Sequence, residues 1–152
     1  MKKIYLLLFF TIISSCSSII LKDISYEPSL NSEKFNDVFI VVNIWGVDSK
    51  NKYYQELINK LTFEFKKRGI DSSGFIYDKH MVNGDEILRQ KINIFNPKYI
   101  MEFQSGISLF VSIKEVDNGN EMWKAFLGKA FISSDTYSQA IIQELEKQKI
   151  LK

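Results

Sequence analysis

Between Val38 and Trp45 the chain reads VFIVVNIW, a nearly unbroken apolar run of β-branched and aromatic residues at strand length. A strand with one wet face would alternate, so this run predicts a strand covered on both faces and interior to its sheet. Gly46-Val47-Asp48-Ser49 predicts a turn. Tyr54, Leu57, Ile58, Leu61 and Phe65 then recur at three- and four-residue spacing, the stripe of an amphipathic helix that runs to Lys67 or Arg68 and ends at a left-handed Gly69. Ser73 to Tyr77 predicts a short second strand. Asn83 followed three residues later by Glu86 has the spacing of a capping box, opening a helix of Ile87, Leu88, Ile92 and Phe95 that Asn96-Pro97 stops. Lys98 to Phe103 predicts a third strand.

The last third changes period. Ile107, Leu109, Val111 and Ile113 alternate with Ser108, Phe110, Ser112 and Lys114, which predicts a strand with one strongly buried face. Asp117-Asn118-Gly119-Asn120 predicts a hairpin turn, because Asn-Gly tolerates the positive backbone angles that match strand twist. Met122 to about Phe131 returns as the partner strand. Ser133 or Ser134 caps a final helix with Tyr137, Ile141, Leu145 and Ile150 or Leu151 on its apolar side. The order βαβαβββα puts alternating units first and a hairpin last. The expected fold class is therefore α/β, a mixed sheet of about five strands with three helices packed on it.

The amino terminus has a different pattern. Met1-Lys2-Lys3 is positive, and Ile4 to Ile13 (IYLLLFFTII) is apolar at a length within the roughly 7 to 15 residues of a signal-peptide h-region. It is too short for a transmembrane helix, which needs about 20 apolar residues. The run breaks into Ser14, Ser15, Cys16, Ser17 and Ser18. Ile13-Ser14-Ser15-Cys16 resembles the lipobox of bacterial lipoproteins, an aliphatic residue and two small ones before an obligatory cysteine. The resemblance implies that residues 1–15 are removed and that the Cys16 thiol receives a diacylglyceryl group, with acylation, commonly palmitate, of the new amino group. Two or three chains anchor stably, since each buried methylene contributes roughly 0.8 kcal/mol. It also implies a place in the cell envelope. In the family's best-known sorting rule an Asp after the cysteine retains the protein in the inner membrane; Ser17 here favours the outer membrane, facing the periplasm. Residues 16–35 lack sustained periodicity and read as the lipidated cysteine and a flexible tether, although Ile19, Ile20 and Leu21 could add an edge strand. Residues 36–152 read as a single domain.

Composition narrows the function. Hydrophobic residues make up 45% of the 152, enough for a proper interior. Lys2 and Lys3 fall in the signal, which leaves the rest of the chain with as many basic as acidic residues. A neutral domain lacks the excess positive field of a nucleic-acid binder, so no nucleic-acid partner is expected. Lys66, Lys67 and Arg68 complement the negative end of a helix dipole and already have a structural reason. One cysteine excludes an internal disulfide and a thiolate zinc site. No cofactor motif occurs: the seven glycines are scattered, without a phosphate-binding loop.

Candidate chemistry is thin. His80, the one histidine, stands beside Asp78 and Lys79 in an expected loop, and a metal site would need distant carboxylates such as Asp71 or Glu102. No G-x-S-x-G elbow is present to present a serine nucleophile. Asp48, Asp71, Asp78 and Asp85 fall near strand or loop ends, where a parallel sheet gathers ligand contacts, but Asp also serves turns. Glu102 interrupts the apolar run KYIMEFQ; either alternation turns it outward, or it is buried and paired. Among the aromatics, Tyr53 next to Tyr54 and Phe110 on the polar side of its strand are surplus to a core and are candidates for contact with a partner. Asp117, Gly119 and Trp123, on the hairpin and its return strand, are similar to a pattern in small envelope lipoproteins related to the curli-secretion and penicillin-binding-protein-activator families, with a shorter spacing between the acidic position and the glycine. That likeness implies a binding or assembly domain without catalysis. The alternative is a tethered small-ligand binder or hydrolase using Asp78, His80 and nearby carboxylates.

Overall fold

The computed structural model describes residues 21–44, 51–104, 110–128 and 132–152. The signal and Cys16, Trp45 with the turn at 46–49, Ile107 and Leu109, and Phe131 lie outside the described residues. The described elements are β1 (Leu21–Tyr26), β2 (Asp37–Ile44), α1 (Asn51–Lys67), β3 (Asp71–Asp78), α2 (Gly84–Phe95), β4 (Tyr99–Gln104), β5 (Phe110–Glu115), β6 (Glu121–Leu127) and α3 (Ser134–Lys147). They build a six-stranded mixed sheet in the order β1-β6-β5-β4-β2-β3. β2 runs parallel to both β3 and β4, and the β4-β5-β6-β1 half is antiparallel. The α/β class, the mixed sheet and three helices agree with the sequence reading; one strand is added.

That strand is β1, an edge strand within the segment read as tether; it begins at Leu21, in keeping with the edge-strand alternative, while Ile19 and Ile20 lie outside the described residues. It pairs antiparallel with β6, and Asp23 adopts φ +47 between Lys22 and Ser25, where the register shifts by one residue. The extra residue is a β-bulge, and it erases the period-two pattern by which a strand is recognised. Beyond β1 the chain stays on the domain. Leu30 and Phe35 are each 1% exposed, and Phe35 meets the rings of Phe65 and Tyr99 at 5.9 and 5.4 Å. The Asn31 side chain accepts the Glu33 and Lys34 backbone N–H groups, fixing the turn that turns Phe35 inward.

Alternation divides the sheet between two layers. Val38, Ile40, Val42 and Ile44 of β2 join Met101, Phe103, Val111, Ile113, Trp123 and Ala125 on one face, where α1 applies its Tyr54-Leu57-Ile58-Leu61-Phe65 stripe and α3 its Tyr137, Ile141 and Leu145. Gly74 of β3 passes so close to α1 that a Cβ there would lie 2.6 Å from Ile58 Cγ2. Trp123 is fully buried and its indole N–H donates to Gln148 Oε1 at 2.7 Å, tying β6 to the end of α3. Arg68 bridges α1 and α3 through Glu64 and Glu146 at 2.8 and 2.5 Å. The run Lys66, Lys67, Arg68 is thus a helix end of which one member is a strut. Ile150 and Leu151 are buried beyond α3. On the other face α2 covers the β2-β3 side, with Phe95 against Phe39 at 5.6 Å and Lys91 over the Phe75 ring.

The ends of the helices correct one expectation. Gly69 at φ +72 closes α1 and Ser133 caps α3 by accepting the Thr136 N–H at 3.1 Å, as the spacing predicts. Asn83, however, sits at φ 58 with no side-chain cap bond, and Glu86 instead accepts from Gln90. A left-handed cap residue aims its side chain away from the first-turn N–H groups, so the capping box does not form. In the hairpin only Gly119 of the Asn-Gly pair takes a positive φ.

Because Leu30 belongs to the core, Leu30→Ala should destabilise the domain by about 2–5 kcal/mol, as large-to-small core changes do. Urea unfolding of the signal-free Cys16→Ser chain measures it; an unchanged midpoint would return residues 21–35 to the role of a tether.

Candidate functional site

The half of the second face away from α2 carries a polar cluster. Neighbouring strands set its rows: Phe126 opposite Phe110 and Phe110 opposite Gln104, then Lys124 opposite Ser112 and Ser112 opposite Glu102. Asn43 of β2 stands beside Gln104. These side chains face away from the core because their neighbours Val42, Phe103, Val111, Ile113 and Ala125 point into it.

Glu102 is the centre. Lys114 Nζ donates to its Oε2 at 2.7 Å, and Asn43 Nδ2 and Gln104 Nε2 donate to its Oε1 at 2.5 and 3.1 Å. Its side chain is 19% exposed. Burial is the largest single influence and raises its pKa, but the Lys114, Gln104 and Asn43 hydrogen bonds and the Lys114 charge together outweigh it, so the carboxyl stays below its ordinary range. The sequence left Glu102 either outward or buried and paired; it faces outward and is paired. Beside it Ser112 is 0% exposed and its hydroxyl has no hydrogen-bond partner among the described residues. The aromatic end of the face is the Phe110–Phe126 pair, centroids 5.7 Å apart, with Lys124 Nζ 5.3 and 5.8 Å from the two rings.

Tyr53 lies in the other layer. It is half-buried on α1, its ring set edge-on to Tyr54 at 5.3 Å, and burial followed by the neighbouring Tyr54 pushes its pKa to about 12. Tyr137 of α3 completes a tyrosine cluster there: burial, then Tyr53 and Tyr54, raise its hydroxyl, which has no hydrogen-bond partner among the described residues. The two candidate contacts, Tyr53 and Phe110, therefore sit on opposite faces of the sheet.

The acid and histidine candidates do not converge. Asp71 opens β3 and Asp78 ends it. Asp78 accepts the backbone N–H of the exposed His80 at 2.9 Å, a turn contact that uses the histidine's main chain. Asp85 accepts the Tyr77 hydroxyl, which raises that phenol. Glu102, on β4, is two strands from this corner, with β2 between it and β3. Among the described residues no group of three His, Cys, Asp or Glu could hold a metal ion. Asp48 lies outside the described residues.

Comparison with solved structures bears on the fold. The fold is similar to that of PelC. The match is to a variant of PelC from Paraburkholderia phytofirmans solved as a dodecamer, with a TM-score of 0.50 at 15% identity, covering 87% of this chain and 98% of that one. At this identity the likeness to PelC is one of fold. No family model matches the chain, and no curated protein matches it.

Asn43, Gln104, Ser112, Lys114 and Lys124 were not singled out by the sequence, yet a signal was there. Asn43 and Glu102 are the polar interruptions of two otherwise apolar runs, and in adjacent strands such interruptions can satisfy one another.

The depressed Glu102 carboxyl contributes stability above its ordinary value of 4.5 and loses it as pH falls through the lower folded value. Glu102→Gln should thus be less stable than the parent near neutral pH by about 1 kcal/mol, with the difference closing as pH falls below 4.5. Denaturant titrations of both chains across that range measure it, and a gap that does not change with pH would mean the pairing is not ionic.

Proposed function

We propose that this chain is a lipid-anchored lipoprotein of the bacterial cell envelope, held by acyl chains on Cys16 and facing the periplasm from the outer membrane, whose folded part binds or assembles with another envelope protein without catalysis. The observation that carries the reading is Ile13-Ser14-Ser15-Cys16, placed directly after a positive start and a short apolar run. Among the described residues no helix is long and apolar enough to cross a membrane.

The fold supports an assembly role, since PelC, which shares it, is solved as a dodecamer. The open face supports contact with a partner. It pairs half-buried aromatics with a lysine and holds a buried hydroxyl that has no hydrogen-bond partner among the described residues, features common where an interface has its energetic centre. Phe110 is the better of the two aromatic contacts, because Tyr53 already packs against its own helix neighbour and the core.

Cys16→Ser should move the protein from the membrane pellet to the soluble fraction, and a variant that still pellets and resists alkaline extraction would overturn the anchor. A photo-crosslinking residue in place of Phe110, used in cells, should give one recurrent envelope adduct identified by mass spectrometry. Scattered abundant neighbours would instead favour a ligand-binding role, for which Asp78→Ala with His80→Ala is the next variant to assay.

A further inference from the structure

The sheet ends in two unlike edges. β1 carries the bulge at Asp23 and an exposed Lys22 beside it, both of which spoil a strand for further pairing. β3, at the other edge, pairs with β2 over its whole length without a register shift and contains neither proline nor lysine. The Asp71 N–H donates to Asn36 O at 3.0 Å and the Lys79 N–H to Ile44 O at 3.4 Å, so the odd-numbered residues turn their main-chain groups toward β2. In a parallel pair the alternate residues point the other way. The N–H and C=O groups of Ser72, Gly74 and Ile76 therefore face out along the free edge, as does the Asp78 N–H, while the Asp78 carbonyl accepts from Met81. A regular edge with outward main-chain groups is a template for another strand.

The order of residues along β3 suits a second copy of itself. Two copies related by a dyad normal to the sheet run antiparallel, and outward residues must then pair with outward residues. That condition removes the register that would set Asp71 against the partner's Asp78. Of those that remain, the register centred on Phe75 places Gly74 opposite the partner's Ile76, Ser72 opposite the partner's Asp78 and Asp71 opposite the partner's Lys79. Asp71 and Lys79 are both exposed, and Asp71 has no ion-pair partner among the described residues. The dyad repeats each contact, so the charge pair forms twice. A shift of the register by one outward pair in either direction sets Asp71 against the partner's Tyr77 or Met81 and loses it. On the α1 side, Lys66 lines a cleft with Phe63, Asp71 and Ser72, and Phe63 is 60% exposed. The partner's Asp78 arrives there beside Ser72, within reach of Lys66, and the added strand covers part of the Phe63 ring.

We propose that β3 is a dimerisation edge, on which a second copy of this chain adds its own β3 antiparallel in the register centred on Phe75 and joins the two six-stranded sheets into one. The occupant is the same chain because the charges are self-complementary in that register. The dyad keeps both open faces, with Glu102 and Phe110, on one side of the joined sheet and leaves them uncovered. Two lipidated cysteines reach a single bilayer when the dyad stands normal to it. The edge is separate from the surface given above to an envelope partner, so the dimer stands or falls independently of that partner and of the anchor.

The test uses the signal-free Cys16→Ser chain, which contains every described element and no thiol. Sedimentation equilibrium should show a dimer. Asp71→Lys should weaken its self-association by roughly tenfold or more, since both dyad-related pairs turn from attraction to repulsion, and adding Lys79→Asp should restore it. A parent chain that stays monomeric, or a dimer indifferent to Asp71→Lys, would overturn the edge; a loss that Lys79→Asp does not restore would overturn the register. Mild oxidation reads the register directly. Phe75→Cys should give a disulfide-linked dimer, because the dyad sets position 75 against itself, and Ser73→Cys, opposite the partner's Tyr77, should not. Asp71→Cys combined with Lys79→Cys, at two exposed positions, should crosslink as well and keeps the Phe75 ring under Lys91. Crosslinking at 73 as strong as at 75, or none in the 71–79 pair, would overturn the register.

Discussion

Burial of β2 on both faces sets the layout of the domain. Val38, Ile40, Val42 and Ile44 must be met by one helical layer and Phe39 and Val41 by another, and both sides are 4% exposed or less. A strand of this kind needs strands on its two edges as well, because buried backbone N–H and C=O groups go unpaired otherwise. β3 and β4 fill those edges in parallel, which forces each connection to cross the sheet through a helix, α1 on one face and α2 on the other. From β4 onward the chain returns by hairpins, and the second face carries polar side chains where the first carries Trp123, Ile113 and Val111. The sheet is thus a two-sided core at one edge and a one-sided core at the other.

That gradient explains where the polar cluster lies. Glu102 stands at the boundary, one strand away from full cover, where a bare carboxylate would be costly and a fully solvated one would not need three donors. Asn43 reaches it from the covered side and Lys114 from the open side. The result is a fixed, part-buried ion pair next to a lysine-capped aromatic pair. Charge near Glu102 is therefore held in place, and Lys124 beside it is held by Glu121 at 3.2 Å and by the two rings.

Much of this arrangement was legible along the chain. The Tyr54-to-Phe65 stripe, the Gly69 and Ser133 caps, the stop at Asn96-Pro97 and the hairpin at Gly119 are local, each set by residues within one or two turns of one another. What was not legible depends on distance or on backbone exceptions. β1 was hidden by Asp23, whose left-handed backbone inserts one residue and breaks the alternation of Leu21, Lys22, Ile24 and Ser25. The cap of α2 failed for the same class of reason, since the left-handed φ of Asn83 cannot be read from its side chain. The candidate site was half visible: Phe110 and Glu102 stand out as misfits in their strands, but the donor that matches Glu102 from β2 lies 59 residues away and comes into register only when β2 and β4 pair.

β1 also has a mechanical meaning. Leu21 and Leu127 are paired although nearly the whole domain lies between them in sequence. The domain's outermost ladder can therefore close only after the last strand is in place. Any pull transmitted through the residues before Leu21 is borne first by the β1–β6 hydrogen bonds, and the bulge at Asp23 divides that ladder into two short segments. Tension on the chain would peel an edge of the sheet before it reached Leu30, Phe35 or the core behind them, so β1 is the part of the fold that yields first and reseals without the rest unfolding.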